Sequence, residues 1–390
     1  MVVLVCIAAR TFDRAARTFD IAARTFTVRV SAQGDPLARA RALHKQVPLI
    51  DGHNDYPWAL RQHNAERDLA KLDIRMPQPK LMTDIPRLRA GGVGGQFWSV
   101  YIPVMIQGPA AIVATLEQID IVHRMVRKYP DTFELATTAA DVERIFKAGR
   151  IASLIGMEGG HSIDDSLAAL RMFHAAGARY LKLTHSTNTA WADSGTDMPK
   201  SGGLSKFGEE VVREMNRLGM IADLSHTSPG TMEDAIRVSE APVIFSHSDA
   251  RALNDHGRNV PDEVLKTLPK NGGIVMVTFV PGFLRKDGRA TLADAADHMD
   301  HIRKIAGADH IGIGGDFDGI ETVPIGLEDV SKYPALTAEL LRRGWSDEDV
   351  KKALGLNVLR VMRRVEAVAA RLQKEREPSV ATIAALDPPR

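Results

Sequence analysis

Eight short apolar runs, separated by longer segments of helical periodicity, constrain the fold of this chain more than any other feature. They span residues 47–53, 95–102, 151–158, 179–185, 220–226, 242–247, 273–279 and 310–316. Rich in Val, Ile and Leu and without regular polar alternation, they read as strands buried on both faces, the pattern of a parallel sheet covered by crossover helices. Three helices can be placed with their ends. Residues 162–176 open with Ser162, Asp164 and Asp165 and stop at Gly177. Residues 205–218 carry Val211, Val212, Met215 and Leu218 at helical spacing and stop at Gly219, and residues 291–306 stop at Gly307. Eight strands alternating with helices imply an α/β fold, a (β/α)8 TIM-type barrel, whose active site lies at the carboxyl ends of the strands. Residues 335–374 read as extra C-terminal helices.

This pattern divides the 390 residues into a barrel unit over 36–375, an N-terminal extension over 1–35 and a tail over 376–390; the stretch from Glu375 onward reads as loose. Within the extension, Ala-Ala-Arg-Thr-Phe occurs three times, beginning at Ala8, Ala15 and Ala22. A short amphipathic helix, an Arg-rich targeting segment and an extension from an upstream start codon all fit that repeat, and the segment is expected to be dispensable to the fold. The apolar run at 2–9 has no basic residue before it, which makes it a poor signal peptide. No stretch approaches the roughly 18 apolar residues needed to cross a bilayer. The expectation is a soluble, cytoplasmic protein with no membrane anchor.

Lys plus Arg number 50 against 49 Asp plus Glu, and aromatic residues make up only 5%. That balance argues against nucleic acid or an anionic membrane as the main partner. Cys6 is the only cysteine, which excludes an intrachain disulfide, a cysteine-based zinc site and a Cys-x-x-Cys redox motif. Any metal must be held by His, Asp and Glu.

Six of the runs finish in residues that can do so: His53 with Asp55, Glu158, His185, His226, His247 and Asp316. One histidine at a strand end is usually a hydrogen-bonded loop residue. Four of the chain's 13 histidines at the same end of the same kind of element are harder to dismiss, because on a barrel those ends converge. His53 and Asp55, two apart, point to the same side of an extended strand and could share an ion. Glu158, with Gly156, Gly159 and Gly160 around it, could bridge to a second ion completed by His226 and His247. Five N/O ligands suit two Zn2+ and leave room for a bridging hydroxide. The charges then nearly cancel, with Asp55, Glu158, hydroxide and Asp316 set against two dications.

Competing motifs are weak. Gly91 to Gly95 precede a strand, the wrong context for a dinucleotide loop, and no Gly-x-Ser-x-Gly, His-Glu-x-x-His or Gly-Lys-Ser/Thr occurs. Asp316-Phe317-Asp318-Gly319 opens like a calcium loop but lacks its later ligands.

Seven motifs follow one another across about residues 45–370: Asp51-Gly52-His53-Asn54-Asp55, Gly156-Met157-Glu158-Gly159, Leu183-Thr184-His185, Asp223-Leu224-Ser225-His226, Ser246-His247-Ser248, Arg258-Asn259-Val260-Pro261-Asp262 and Gly314-Gly315-Asp316-Phe317-Asp318-Gly319. In this order they resemble the renal, or membrane, dipeptidase family of the metal-dependent amidohydrolase superfamily. The resemblance implies a zinc-dependent dipeptidase, commonly a homodimer. Its two Zn2+ per chain would cleave dipeptides, L,D-dipeptides among the candidates, through a metal-bridging hydroxide. Carried over by position, His53 and Asp55 would hold one zinc and His226 and His247 the other, with Glu158 bridging. His185 would polarise the scissile carbonyl, Arg258 would hold the substrate carboxylate and Asp316 would shuttle the proton. Arg258 comes from the resemblance alone. The chain departs from mammalian members in lacking cysteines for a covalent dimer and an apolar C-terminal tail for a lipid anchor. Another amidohydrolase reaction, such as lactone hydrolysis or deamination, is disfavoured because His53-x-Asp55 stands where many such sites use His-x-His. A non-catalytic barrel is disfavoured by the intact ligand set. The loop at 191–203 is expected to set side-chain preference.

Overall fold

A computed structural model describes residues 35–65 and 67–388, so the repeat at 8–26 lies outside the described residues. Among the described residues nine strands form: β1 Leu49–Asn54, β2 Val93–Tyr101, β3 Phe133–Leu135, β4 Ile151–Glu158, β5 Ala178–Lys182, β6 Ile221–Asp223, β7 Ile244–Phe245, β8 Ile274–Val277 and β9 Ile311–Ile313. All pair in parallel. Eight of them close a ring, because β2 pairs with both β1 and β4 while β1 also pairs with β9. This is the (β/α)8 barrel. The strand that the apolar runs did not reveal, β3, pairs Phe133–Leu135 with the first residues of β4, where β5 has not yet begun. Its three residues are too few to show as a run.

Most strands are shorter than the runs that announce them, and side chains near their ends explain why. Asp223 Oδ1 accepts the backbone N–H groups of Ser225 and Ser246 at 3.1 and 2.9 Å, and Ser225 Oγ accepts that of His247 at 3.0 Å. Asp51 Oδ1 accepts Gly315 N–H at 2.8 Å, while its Oδ2 takes the Tyr333 hydroxyl and the Gln96 amide, each at 2.8 Å. Backbone donors that would continue the ladder are satisfied by buried carboxylates and hydroxyls instead. The chain is thereby freed to turn while still fixed in place.

The helices at Lys206–Leu218 and Leu292–Ala306 match expectation, the first capped by Ser205 and stopped by a left-handed Gly219, the second opened by a Thr291/Asp294 capping box. The helix expected from Ser162 starts later. Residues Gly160–Ile163 form a 3-10 turn, Asp164 and Asp165 take left-handed backbone angles, and Ser166 caps Leu167–Ala175. Asp164 and Asp165 therefore serve the turn rather than the helix.

The C-terminal helix Asn357–Glu375 covers the amino ends of the strands. Its Val358, Val361 and Met362 join Ile50, Leu154, Ile244 and Met276 in one buried cluster, and Asn357 donates to Ile311 O at 2.9 Å. The tail is tied down rather than loose. Asp387 accepts the N–H groups of Lys206 and Phe207 at 3.1 and 2.9 Å, a second cap for that helix. Among the described residues, no helix is long and apolar enough to cross a membrane.

Candidate active site

At the carboxyl ends of the strands the backbone turns sharply inward. His226, Asp316 and Asp318 have φ of 72°, 62° and 65°, a left-handed conformation uncommon for residues other than glycine. Glu158, the last residue of β4, is 3% exposed and lies among the gathered side chains. Its Oε2 is 3.0 Å from His53 Nε2 and accepts the Ser99 hydroxyl at 2.7 Å. Its Oε1 is 3.4, 3.6 and 3.9 Å from the Nε2 atoms of His226, His185 and His247. His53 Nε2 also lies 3.2 Å from Asp55 Oδ2 and 3.8 Å from Asp316 Oδ1, and the His226 and His247 Nε2 atoms are 3.2 Å apart. Residues separated by more than 250 positions thus meet within one cluster.

The donor set fits metal ions. Tyr180 donates its hydroxyl proton to Gly52 O at 3.1 Å, so it accepts from His53 Nδ1, 2.9 Å away. That pattern keeps a proton on Nδ1 and turns Nε2 toward the carboxylates, the nitrogen that becomes a ligand once its own proton leaves. Electron pairs held this close in a buried place call for a positive charge between them, a proton in the metal-free chain or a metal ion in its place. His53 Nε2, Asp55 Oδ1 and His226 Nδ1 are buried without a hydrogen-bond partner. Among the described residues, three sets of ligand atoms lie close enough to hold an ion: His53, Glu158 and His247; Glu158, His185 and His226; and His53, Asp55 and Asp316.

Without metal, the same crowding appears as displaced proton affinities. Burial would lower the His53 pKa, but the Glu158 and Asp55 charges overcome it and raise it to about 10. Asp316 is pushed up to about 8, mainly by burial, with His53 opposing and Asp55 and Glu158 adding to the rise. Burial holds His185 down near 4, so its ring is neutral at pH 7.

Arg258 is 3% exposed and far from being a solvated loop residue. Its Nη2 donates to His247 O at 3.2 Å, Nη1 reaches Ser248 Oγ at 3.4 Å, and the guanidinium lies 5.2 Å from the Phe283 ring centroid. It does not brace Asp262, which pairs instead with His301 at 2.8 Å. The guanidinium borders a cavity of about 360 Å3 that also exposes Asp55, Glu158, His185, His226, His247 and Asp316. All eight residues singled out in the sequence therefore belong to one locus.

The cavity walls were not anticipated. Trp58, Gln62, Tyr101, Val280, Phe283 and Ile320 supply them, and no lining residue comes from the loop at 191–203. That loop is folded around its own acid: Asp193 accepts the N–H groups of Lys200, Ser201 and Gly202 between 2.7 and 3.1 Å. The sequence reading also passed over Lys182. This fully buried cation places Nζ 2.6 Å from Glu158 Oε1. A lysine at the carboxyl end of a strand, two residues after Tyr180 and so on the same face, was the signal available.

Comparison with known proteins identifies the family. The family profile for membrane dipeptidase, peptidase family M19, matches residues 37–376. Dipeptidase verJ of Clonostachys rogersoniana is 45% identical over 357 residues, covering 88% of this chain and 90% of that protein. A metallopeptidase from Rhodobacter sphaeroides, solved with a phosphinate mimic of the dipeptide L-Ala-D-Ala, is 30% identical with a TM-score of 0.74, covering 82% of this chain and 99% of that one. A solved dipeptidase AC of metallopeptidase family M19 is 31% identical, with a TM-score of 0.75 over 82% of this chain and 98% of that one. The chain belongs to the membrane dipeptidase family of metallopeptidases, family M19.

Proposed function

We propose that this chain hydrolyses dipeptides, L,D-pairs included, with two zinc ions: one held by His53 and Asp55, the other by His226 and His247, and Glu158 shared between them. The observation that carries this reading is the position of Glu158. One carboxylate oxygen faces His53 and the other faces His226 and His247. Nitrogen and oxygen donors without thiolate suit zinc in a hydrolytic site. The ligand carried by the Rhodobacter sphaeroides relative supports the substrate class.

Zinc in such a site polarises a carbonyl and makes water acidic enough to react at neutral pH. The protein groups divide the remaining work. Arg258 receives the substrate's terminal carboxylate through paired N–H donors, fixing both its position and its direction. Neutral His185 carries one ring N–H, which stabilises charge developing on the carbonyl oxygen. Asp316 takes the proton of the attacking water and delivers it to the departing amine, so both the peptide C–N bond and the proton balance are accounted for.

The test compares a dipeptide with its C-terminal amide. Dipeptide cleavage should dominate, and Arg258→Ala should lower kcat/KM by about 2 to 5 kcal/mol, the scale for truncating one member of a buried charge pair, with zinc content unchanged. Equal turnover of acid and amide would contradict the proposal.

A further inference from the structure

The two carboxylate oxygens of Glu158 have unequal surroundings. Oε2 faces His53, and His53 in turn lies beside Asp55 and Asp316. Oε1 faces only imidazoles, apart from Lys182, whose Nζ is 2.6 Å away and whose side chain is fully buried. The same ammonium lies 3.4 Å from His247 Nδ1. Arg258 adds a second buried cation on this side, donating to the backbone carbonyl of His247. An ion near His53 therefore meets Asp55 and Asp316 in addition to Glu158. An ion near His226 and His247 has one carboxylate among the contacts of its imidazoles, Glu158, with an ammonium already on the oxygen that faces them, while Asp316, Asp223 and Asp249 on that side face Arg258.

We infer that Lys182 makes the two metal positions unequal: the His53/Asp55 position fills first and tightly, and the His226/His247 position binds more weakly because Lys182 opposes the second dication. This rests on the two-ion reading above. The effect is Coulombic and short-range. A buried unit charge a few ångströms from a dication is poorly screened by solvent or salt. Lys182 also holds Oε1 by a charge-assisted hydrogen bond, so Glu158 is oriented before either ion arrives. Lys182 is thus a positioning residue that acts through Glu158.

Titration calorimetry of the chelator-treated full chain with Zn2+ tests the inference without reference to turnover. The unaltered protein should take up two ions in steps separated by about 100-fold, and Lys182→Met should narrow that separation at least tenfold by tightening the second step. Lys182→Arg, which keeps the charge, should leave the steps apart. Equal steps in the unaltered protein, or an unchanged separation in Lys182→Met, would overturn the role of Lys182. Should Lys182→Met fail to fold, one equivalent of Co2+ reports the filling order: binding should survive His226→Ala and be lost in Asp55→Asn, and the reverse would overturn the inference. Saturation of the unaltered protein at a single ion is a different failure, since it removes the two-ion reading itself.

Discussion

The Tyr180 hydroxyl lies 2.9 Å from His53 Nδ1 while donating its own proton to Gly52 O. One phenol therefore holds a proton on His53 Nδ1 and leaves Nε2 as the nitrogen that can bind an ion. Room for its ring comes from Gly156, where a β-carbon would fall 1.9 Å from Tyr180 Cζ. Tyr180→Phe should keep the fold and lower metal affinity about 10- to 100-fold, the usual cost of losing a ligand's outer partner. Competition with a chromophoric chelator measures this.

Gly319 approaches the site from the turn that follows the carboxyl end of β9. A β-carbon there would stand 2.3 Å from Asp55 Oδ2 and 2.8 Å from Asp316 Oδ1. Gly319→Ala should displace both carboxylates and reduce kcat/KM at least about 100-fold, since small misplacements of reacting groups have effects of that order. Unchanged far-ultraviolet circular dichroism beside the lost activity would show that the damage is local.

Metal loading should release protons. With its pKa near 10 in the metal-free chain, His53 is protonated at pH 7 and must lose that proton to act as a ligand. Apparent affinity for the first ion should therefore rise with pH from about 7 toward 10, by up to tenfold per unit. Calorimetry in buffers of different ionisation enthalpy should show at least one proton released at pH 7, since Asp316, with its pKa near 8, is also largely protonated in the metal-free chain. Release of none would mean that His53 is not a ligand.

Asp316 and Asp318 share a left-handed turn but face different neighbours. Asp318 Oδ1 accepts Met82 N–H at 2.6 Å, which ties it to the segment before the helix Ile85–Gly91, while Asp316 faces His53. Asp316→Asn should lower kcat by roughly 10² to 10⁴ with most metal retained, the range for general acid–base catalysis. Asp318→Asn should act mainly on stability. The opposite pattern would assign the proton transfer to Asp318.

The ligands were legible because each combines two signals, a metal-binding residue type and a place at the end of an apolar strand. On a barrel, that place alone predicts convergence. Arg258 gave no such signal; its loop position resembles any solvated arginine, and only the family motif singled it out. Tyr180 and Lys182 were hidden for another reason. Both sit within a strand, where a tyrosine reads as core and a lysine as an interruption, and their meaning lies in what the barrel brings across from β1 and β4. Strand ends were overextended because the residues that stop them, Asp51 and Asp223, act through hydrogen bonds to distant backbone. The cavity walls come from segments with no common motif, so no pattern along the chain could join Trp58 to Phe283.

The most direct test of the account is dipeptidase activity measured against added Zn2+ in the chelator-treated protein. Activity should be absent without metal, rise with added zinc and level off at two equivalents per chain. A plateau at one equivalent, or full dipeptide turnover in protein shown to be metal-free, would contradict it.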